Sequence, residues 1–285
     1  MEPRAVADYE CVTGENPLWH PGEKRVYWTD IPTGRLFRYD PATGDHEQCY
    51  EGEPVGGFSL QPDGTLLLFM ARGAVKLWRD GEMTTVIEDI PAERESRFND
   101  VIADPAGRVF CGTMPTSAAP GRLYRLDLDG SISVVLEGIR CSNGMGFTAD
   151  CKTMYYTDSG VRRVYTFDYD EATGSLSNRR VMFETPEGSG VPDGMTVDAA
   201  GDIWSARWDG RKLHKYSPAG DELTGIDFPT KKVSSVTFGG DDLTDMYVTT
   251  AGGDNKAENG ALAGALFHVS SGVAGVAEYR SHIRV

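Results

Sequence analysis

The sequence contains no apolar run of the ~18 residues that a membrane-spanning helix requires, so no membrane partner is expected. Its first ten residues, MEPRAVADYE, lack the apolar stretch of a secretory signal, and the cytoplasm is the expected compartment. Basic residues are in short supply: 28 Lys and Arg stand against 43 Asp and Glu, a formal net charge of −15 over 285 residues. Binding to nucleic acid needs basic patches, so that partner is not expected. The acid excess suits either a salt-adapted host or an ordinary soluble surface. Cysteine is scarce and odd in number (Cys11, Cys49, Cys111, Cys141, Cys151), with no CxxC pair. That argues against a disulfide framework and against a cysteine zinc site. The five histidines show neither HxxxH nor HxH spacing. No GxSxG nucleophile elbow occurs, and GGDNKAENG (252–260) lacks the Lys-Ser/Thr of a phosphate loop. DLDGSISVVLE (127–137) opens like a calcium loop, but its glycine falls two positions early, as in a hairpin turn. Helical periodicity is absent throughout.

What is present is repetition. A short apolar run ending in a PDG-like turn recurs in ENPLWHPG, GGFSLQPDG, NDVIADPAG, NGMGFTAD, DGMTVDAAG and SVTFGGDD, a repeat of roughly 40–50 residues. A second run follows each turn (RVYWTD, TLLLFM, RVFCGT, TMYYTD, DIWSAR, DMYVTT), and a third follows a loop (RLFRYD, AVKLWR, RLYRLD, RVYTFD, KLHKYS, ALFHVS). These alternate apolar and polar residues, the period of half-buried strands. A fourth segment, such as ISVVLE or RRVMFE, closes each unit. Six units of four strands predict an all-β fold, a six-bladed β-propeller with four-stranded blades, as one domain over 1–285. The extra N-terminal strand, AVADYECV (5–12), is expected to add the outer strand of the last blade and close the ring.

Equivalent positions on the innermost strands of a propeller form a ring around its axis. Aligning the repeats puts Glu15, Gly56, Asn99, Asn143, Asp193 and Ser234 in that ring. Two carboxylates and two amide oxygens suit a hard divalent cation. Calcium fits best, with zinc, manganese, magnesium and iron as alternatives. The ligands would come from four blades, so no local motif announces them. TTAGGDNKAENGALAG (249–264), the longest connection between second and third strands, is expected to be a mobile lid on the same face.

The phrases GENPLW (14–19), RFNDVIADPAGRVFCGTM (97–114), SNGMGF (142–147), YYTDS (155–159) and VPDGM (191–195) are similar to those of the SMP-30/gluconolactonase/LRE family, which includes regucalcin-like lactonases. The resemblance spans nearly the whole chain. It implies a six-bladed propeller, metal ligation by Glu15, Asn143 and Asp193, and a metal or substrate contact at Asn99. It further implies a substrate contact at Arg97 and a general-base role for Asp193. Met114, at the end of the GTM phrase, and Trp208 of ARWDG are expected to face the substrate. Regucalcin-like members carry an acid after GTM that binds sugar hydroxyls; PTSAAPG (115–121) has none.

The expected function is a metal-dependent hydrolase, acting as a monomer, that opens a small lactone, most simply a sugar-acid lactone. The alternatives are a phosphotriester or phosphofluoridate hydrolase on the same metal site, a non-catalytic calcium-binding propeller, and a sugar-catabolic enzyme using iron.

Overall fold

A computed structural model describes residues 2–284. The first strand is β1 (Arg4–Asp8). Blade one follows with β2 (Gly14–His20), β3 (Arg25–Asp30), β4 (Arg35–Tyr39) and β5 (His46–Glu51). Blade two holds β6 (Val55–Leu60), β7 (Leu66–Met70), β8 (Val75–Arg79) and β9 (Glu82–Ile87). Blade three holds β10 (Phe98–Ala103), β11 (Val109–Thr113), β12 (Gly121–Leu126) and β13 (Ile132–Ile139). Blade four holds β14 (Ser142–Phe147), β15 (Thr153–Asp158), β16 (Arg163–Asp170) and β17 (Ser175–Glu184). Blade five holds β18 (Val191–Val197), β19 (Ile203–Trp208), β20 (Lys212–Tyr216) and β21 (Glu222–Asp227). Blade six holds β22 (Lys232–Gly239), β23 (Asp245–Ala251) and β24 (Ala265–Ser270). These are six antiparallel four-stranded sheets, a six-bladed β-propeller, as the repeat predicts. One turn of α-helix, α1 (Lys256–Asn259), and three 3-10 turns (Ile31–Thr33, Pro91–Glu93 and Ser159–Val161) accompany them.

The burial of each strand follows its place in the blade. Second strands are packed on both faces by neighbouring blades, so β7 reads LLLFM and is buried at all five positions. Fourth strands line the rim, and β9 is exposed over its first four residues. Between blades one and two, Leu18, Tyr27 and Leu36 pack on Phe58, Leu66 and Leu68. Burying side chains of this size contributes about 1.5–3 kcal/mol each relative to leaving them exposed.

The ring closes as expected. β1 pairs antiparallel with β24, Arg4 opposite His268 and Asp8 opposite Ala265, and completes blade six. This strand is shorter than the predicted 5–12. After Asp8 the chain turns, with the Asp8 carboxylate accepting from the Glu10 N–H, and Glu10 adopts a positive φ of 53°. Beyond blade six, residues 275–284 cross the opposite end of the channel as a strap. Its backbone N–H groups donate to Leu243, Val197, Leu60, Gly107 and Leu128 carbonyls, and Tyr279 packs on Phe147. One segment thereby touches blades two to six.

Every inner strand has a register shift at or beside its ring position: Glu15/Leu18, Val55/Gly57, Phe98/Val101, Asn143/Met145, Pro192/Met195 and Val233/Ser235. A bulge leaves a residue unpaired and re-aims its side chain. Six bulges at one level account for a polar ring at the start of otherwise apolar strands.

Candidate functional site

The structure places Glu15, Asn99, Asn143 and Asp193 around one cavity of about 310 Å³, at the face where inner strands begin and second strands end. Arg97, Met114 and Trp208 line the same cavity. Arg97 immediately precedes β10, Met114 follows β11, and Trp208 ends β19. All seven residues singled out in the sequence are therefore brought together.

The other two ring positions do not line it, for steric and hydrogen-bonding reasons. At Gly56 a Cβ would lie 2.0 Å from the Phe98 carbonyl oxygen, so only glycine fits. The Ser234 hydroxyl instead donates to the Gly14 carbonyl, latching blade six to blade one. Four donors remain of six positions.

Glu15 and Asp193 are 3 % and 4 % exposed, and neither forms an ion pair among the described residues. Burial, then the neighbouring Asp193 and Asp100, pushes the Glu15 carboxyl well above its usual range. Burial, then Asp100, does the same to Asp193, with Arg207 and Lys232 pulling the other way. Asp100 is buried beneath them and is itself pushed up to about 7 by desolvation, opposed by Arg97. Carboxyls crowded and desolvated in this way are relieved either by holding a proton or by a counter-cation.

The amides form a directed chain. Arg97 Nη1 donates to Asn99 Oδ1 at 2.6 Å, and Asn99 Nδ2 donates to Asn143 Oδ1 at 2.8 Å and to the Ser142 carbonyl at 2.7 Å. Asn143 Nδ2 donates to Ser159 Oγ at 2.8 Å. Each amide oxygen accepts one such bond and has a second lone pair left for a cation. Two unpaired carboxylates with two such oxygens fit a hard divalent ion. Among the described residues no group of three or more His, Cys, Asp and Glu is placed to hold a metal ion.

Sequence reasoning missed Cys141 and Ser159, which also line the cavity. The Cys141 thiol donates to Met114 Sδ at 3.7 Å. Burial, then Asp193, pushes it up to about 12, so it is a protonated wall element rather than a nucleophile. Ser159 stands in the YYTDS phrase, and only its contact with Asn143 reveals its use. No residue of the expected lid, 249–264, lines the cavity. That loop is pinned instead: Gly252 and Gly253 N–H groups donate to the Cys11 and Val12 carbonyls, and Asn259 O accepts from Lys231 N–H. Below the ring the channel narrows to a space of about 50 Å³, bounded at its far end by Glu278 and Tyr279 of the strap.

Fold and cavity together define a propeller with an oxygen-donor site at one mouth of its axis. A family model described as SMP-30/Gluconolactonase/LRE-like region matches residues 13–252, and the chain belongs to that family. It is 51 % identical to pentonolactonase XacC of Haloferax volcanii, over 98 % of both chains. It is 34 % identical to 6-deoxy-6-sulfogluconolactonase of Pseudomonas putida, covering 96 % of this chain and 97 % of that one. Among solved structures, a luciferin-regenerating enzyme superposes with a TM-score of 0.90 at 29 % identity, over 99 % of both chains.

Proposed function

We propose that this protein is a metal-dependent hydrolase of sugar-acid lactones, with pentonolactones as the substrate class. The observation that carries the reading is the convergence of two buried, unpaired carboxylates, two amide oxygens and an arginine in one cavity. The names of the relatives, a pentonolactonase and a sulfogluconolactonase, support the substrate.

Glu15, Asn143 and Asp193 would hold the cation, with Asn99 as a further oxygen donor. A divalent ion bound there would supply Lewis-acid polarisation of the lactone carbonyl. Calcium suits the hard oxygen set. Arg97 has one nitrogen, Nη1, bound to Asn99 Oδ1 and the Phe98 carbonyl, and directs its remaining N–H groups to substrate oxygens. Asp193 accepts the proton of the attacking water. Burial, and then the Asp100 carboxylate beside it, raise its proton affinity, which suits that task and offsets the pull of a bound cation. Trp208 and Met114 form the apolar walls that exclude bulk water. The acid-free 115–121 loop leaves fewer partners for distal hydroxyls, which favours a five-carbon lactone over longer ones.

The test is acid release from a panel of pentono- and hexonolactones, with a phosphotriester control. The metal-free protein is reconstituted with single cations. Hydrolysis of pentonolactones restored by a divalent ion is the expected result. Full activity after exhaustive chelation would remove the metal from the mechanism, and turnover of the phosphotriester alone would replace the substrate class.

A further inference from the structure

Trp208 is held from outside the cavity. Lys232 Nζ lies 4.5 Å from the centroid of the indole, within cation–π range. The ammonium is fixed in turn by Asp209 Oδ1 at 2.6 Å, the residue directly after Trp208. Asp209 can reach back because it adopts a positive φ of 61° at the turn out of β19. The lysine side chain is only 15 % exposed, although its partner carboxylate is 40 % exposed. Lys232 is not among the residues lining the cavity.

The stem of Lys232 is packed from the far side by the loop that follows β23. A Cβ placed on Gly253 would come within 3.1 Å of Lys232 Cε and 3.2 Å of Asn259 Nδ2. Asn259 is itself anchored, donating to the Gly252 carbonyl at 2.8 Å. The contacts therefore run from the 252–259 loop to Lys232, from Lys232 to Trp208, and from Trp208 to the cavity.

We propose that Lys232 is a positioning residue: clamped by Asp209 and by the 252–259 loop, it fixes the Trp208 indole as a rigid wall that sets how tightly the cavity grips its substrate ring. A long lysine side chain has high rotamer freedom, and a partly exposed indole has several orientations of its own. Locking both before binding removes an ordering cost from recognition. The proposal refines the lactonase reading at the same site and rests on it for its kinetic arm.

The experiment has two arms. The first compares lactone kinetics of wild type, Lys232→Met, Lys232→Arg, Trp208→Phe and the Lys232→Met/Trp208→Phe double variant. Lys232→Met should raise KM about fivefold, the size of a partly desolvated cation–π contact, and change KM more than kcat. Lys232→Arg, which keeps the cation, should restore KM. In the Trp208→Phe background Lys232→Met should add much less than it does alone, as coupled neighbours do. The second arm needs no substrate. The ¹⁵N-indole resonance of Trp208, assigned by its loss in Trp208→Phe, should broaden or split in Lys232→Met and remain single in Lys232→Arg. An unchanged indole resonance in Lys232→Met would overturn the proposal. So would an undiminished Lys232→Met effect in the Trp208→Phe background, because Lys232 would then act on the site without the indole. A wild type that hydrolyses no lactone would remove the lactonase reading, and the resonance arm would still decide whether Lys232 holds the ring.

Discussion

Asn99 and Asn143 sit on inner strands of adjacent blades and are joined side chain to side chain, Asn99 Nδ2 donating to Asn143 Oδ1 at 2.8 Å. The two amides are therefore one unit. Asn99 orients the oxygen that Asn143 offers to the cavity, and Arg97 orients Asn99 in the same way.

Asn99→Ala should accordingly cost more than one ligand. It frees Arg97, and it removes donors from both Asn143 and the Ser142 carbonyl. Loss of such supporting contacts typically reduces activity about 10- to 100-fold. We expect kcat/KM to fall in that range with weaker cation binding, measured by titration calorimetry. A variant with wild-type cation affinity and wild-type kcat/KM would show that the chain is ornamental.

Glu15→Gln and Asp193→Asn each remove one of only two carboxylate charges from the cavity. Both should weaken cation binding. At saturating cation Glu15→Gln should recover much of its turnover, whereas Asp193→Asn should stay at least about 100-fold down, because an amide cannot accept the proton. Turnover is followed against cation concentration with occupancy measured in parallel. Full recovery of Asp193→Asn would make that residue a ligand only.

The metal-free protein should be less stable at neutral than at mildly acidic pH. Asp100 has its carboxyl raised from an ordinary 3.8 to about 7, and Glu15 and Asp193 are shifted in the same direction. Between those values the folded state holds protons that the unfolded chain has released, so stability falls as pH rises through the window. Thermal melts from pH 4 to pH 8 should show Tm declining without metal. Added cation should stabilise progressively more toward pH 8, since it binds the ionised form. A metal-free Tm that climbs across the same range would contradict the assigned shifts.

Deleting residues 2–8 removes β1 and leaves β24 as an unpaired edge. It also uncovers Leu266 and Tyr247, with which Ala7 shares a core cluster. Aggregation, or a Tm lowered by at least about 10 °C, is the expected outcome by scanning calorimetry and light scattering. A truncated protein melting like the full chain would mean that β1 contributes nothing to closure.

The fold was largely legible because every blade repeats one phrase. The burial of the second strands was not: LLLFM, expected to be half-buried with the other second runs, is covered by neighbouring blades at all five positions. The ring position was legible for the same reason: Asn143-Gly144-Met145 and Asp193-Gly194-Met195 differ only in the residue that faces the axis. Contacts made across blades were not legible. Nothing local to Ser159 indicates Asn143, and nothing local to Lys232 indicates Trp208, because packing between blades sets those pairs. The lid expectation followed loop length and glycine content, and neither reveals that Gly252 and Gly253 are hydrogen-bonded to residues 11 and 12. Alignment places Gly56 in the ring without saying why it is glycine, whereas the structure shows that its lack of a side chain lets β10 approach β6.

The pairing of Arg4 with His268 carries a consequence for biosynthesis. During translation β1 is made long before its partner, and it must wait while five blades form and stack. Throughout that wait it is a short extended segment with no neighbour, the kind of segment that recruits other chains. Its sequence is RAVAD, a three-residue apolar centre with a cation at one end and an anion at the other. Charges flanking a sticky segment act as gatekeepers against premature pairing. Arg4 and Asp8 flank the strand in that way, and the same five residues close the ring.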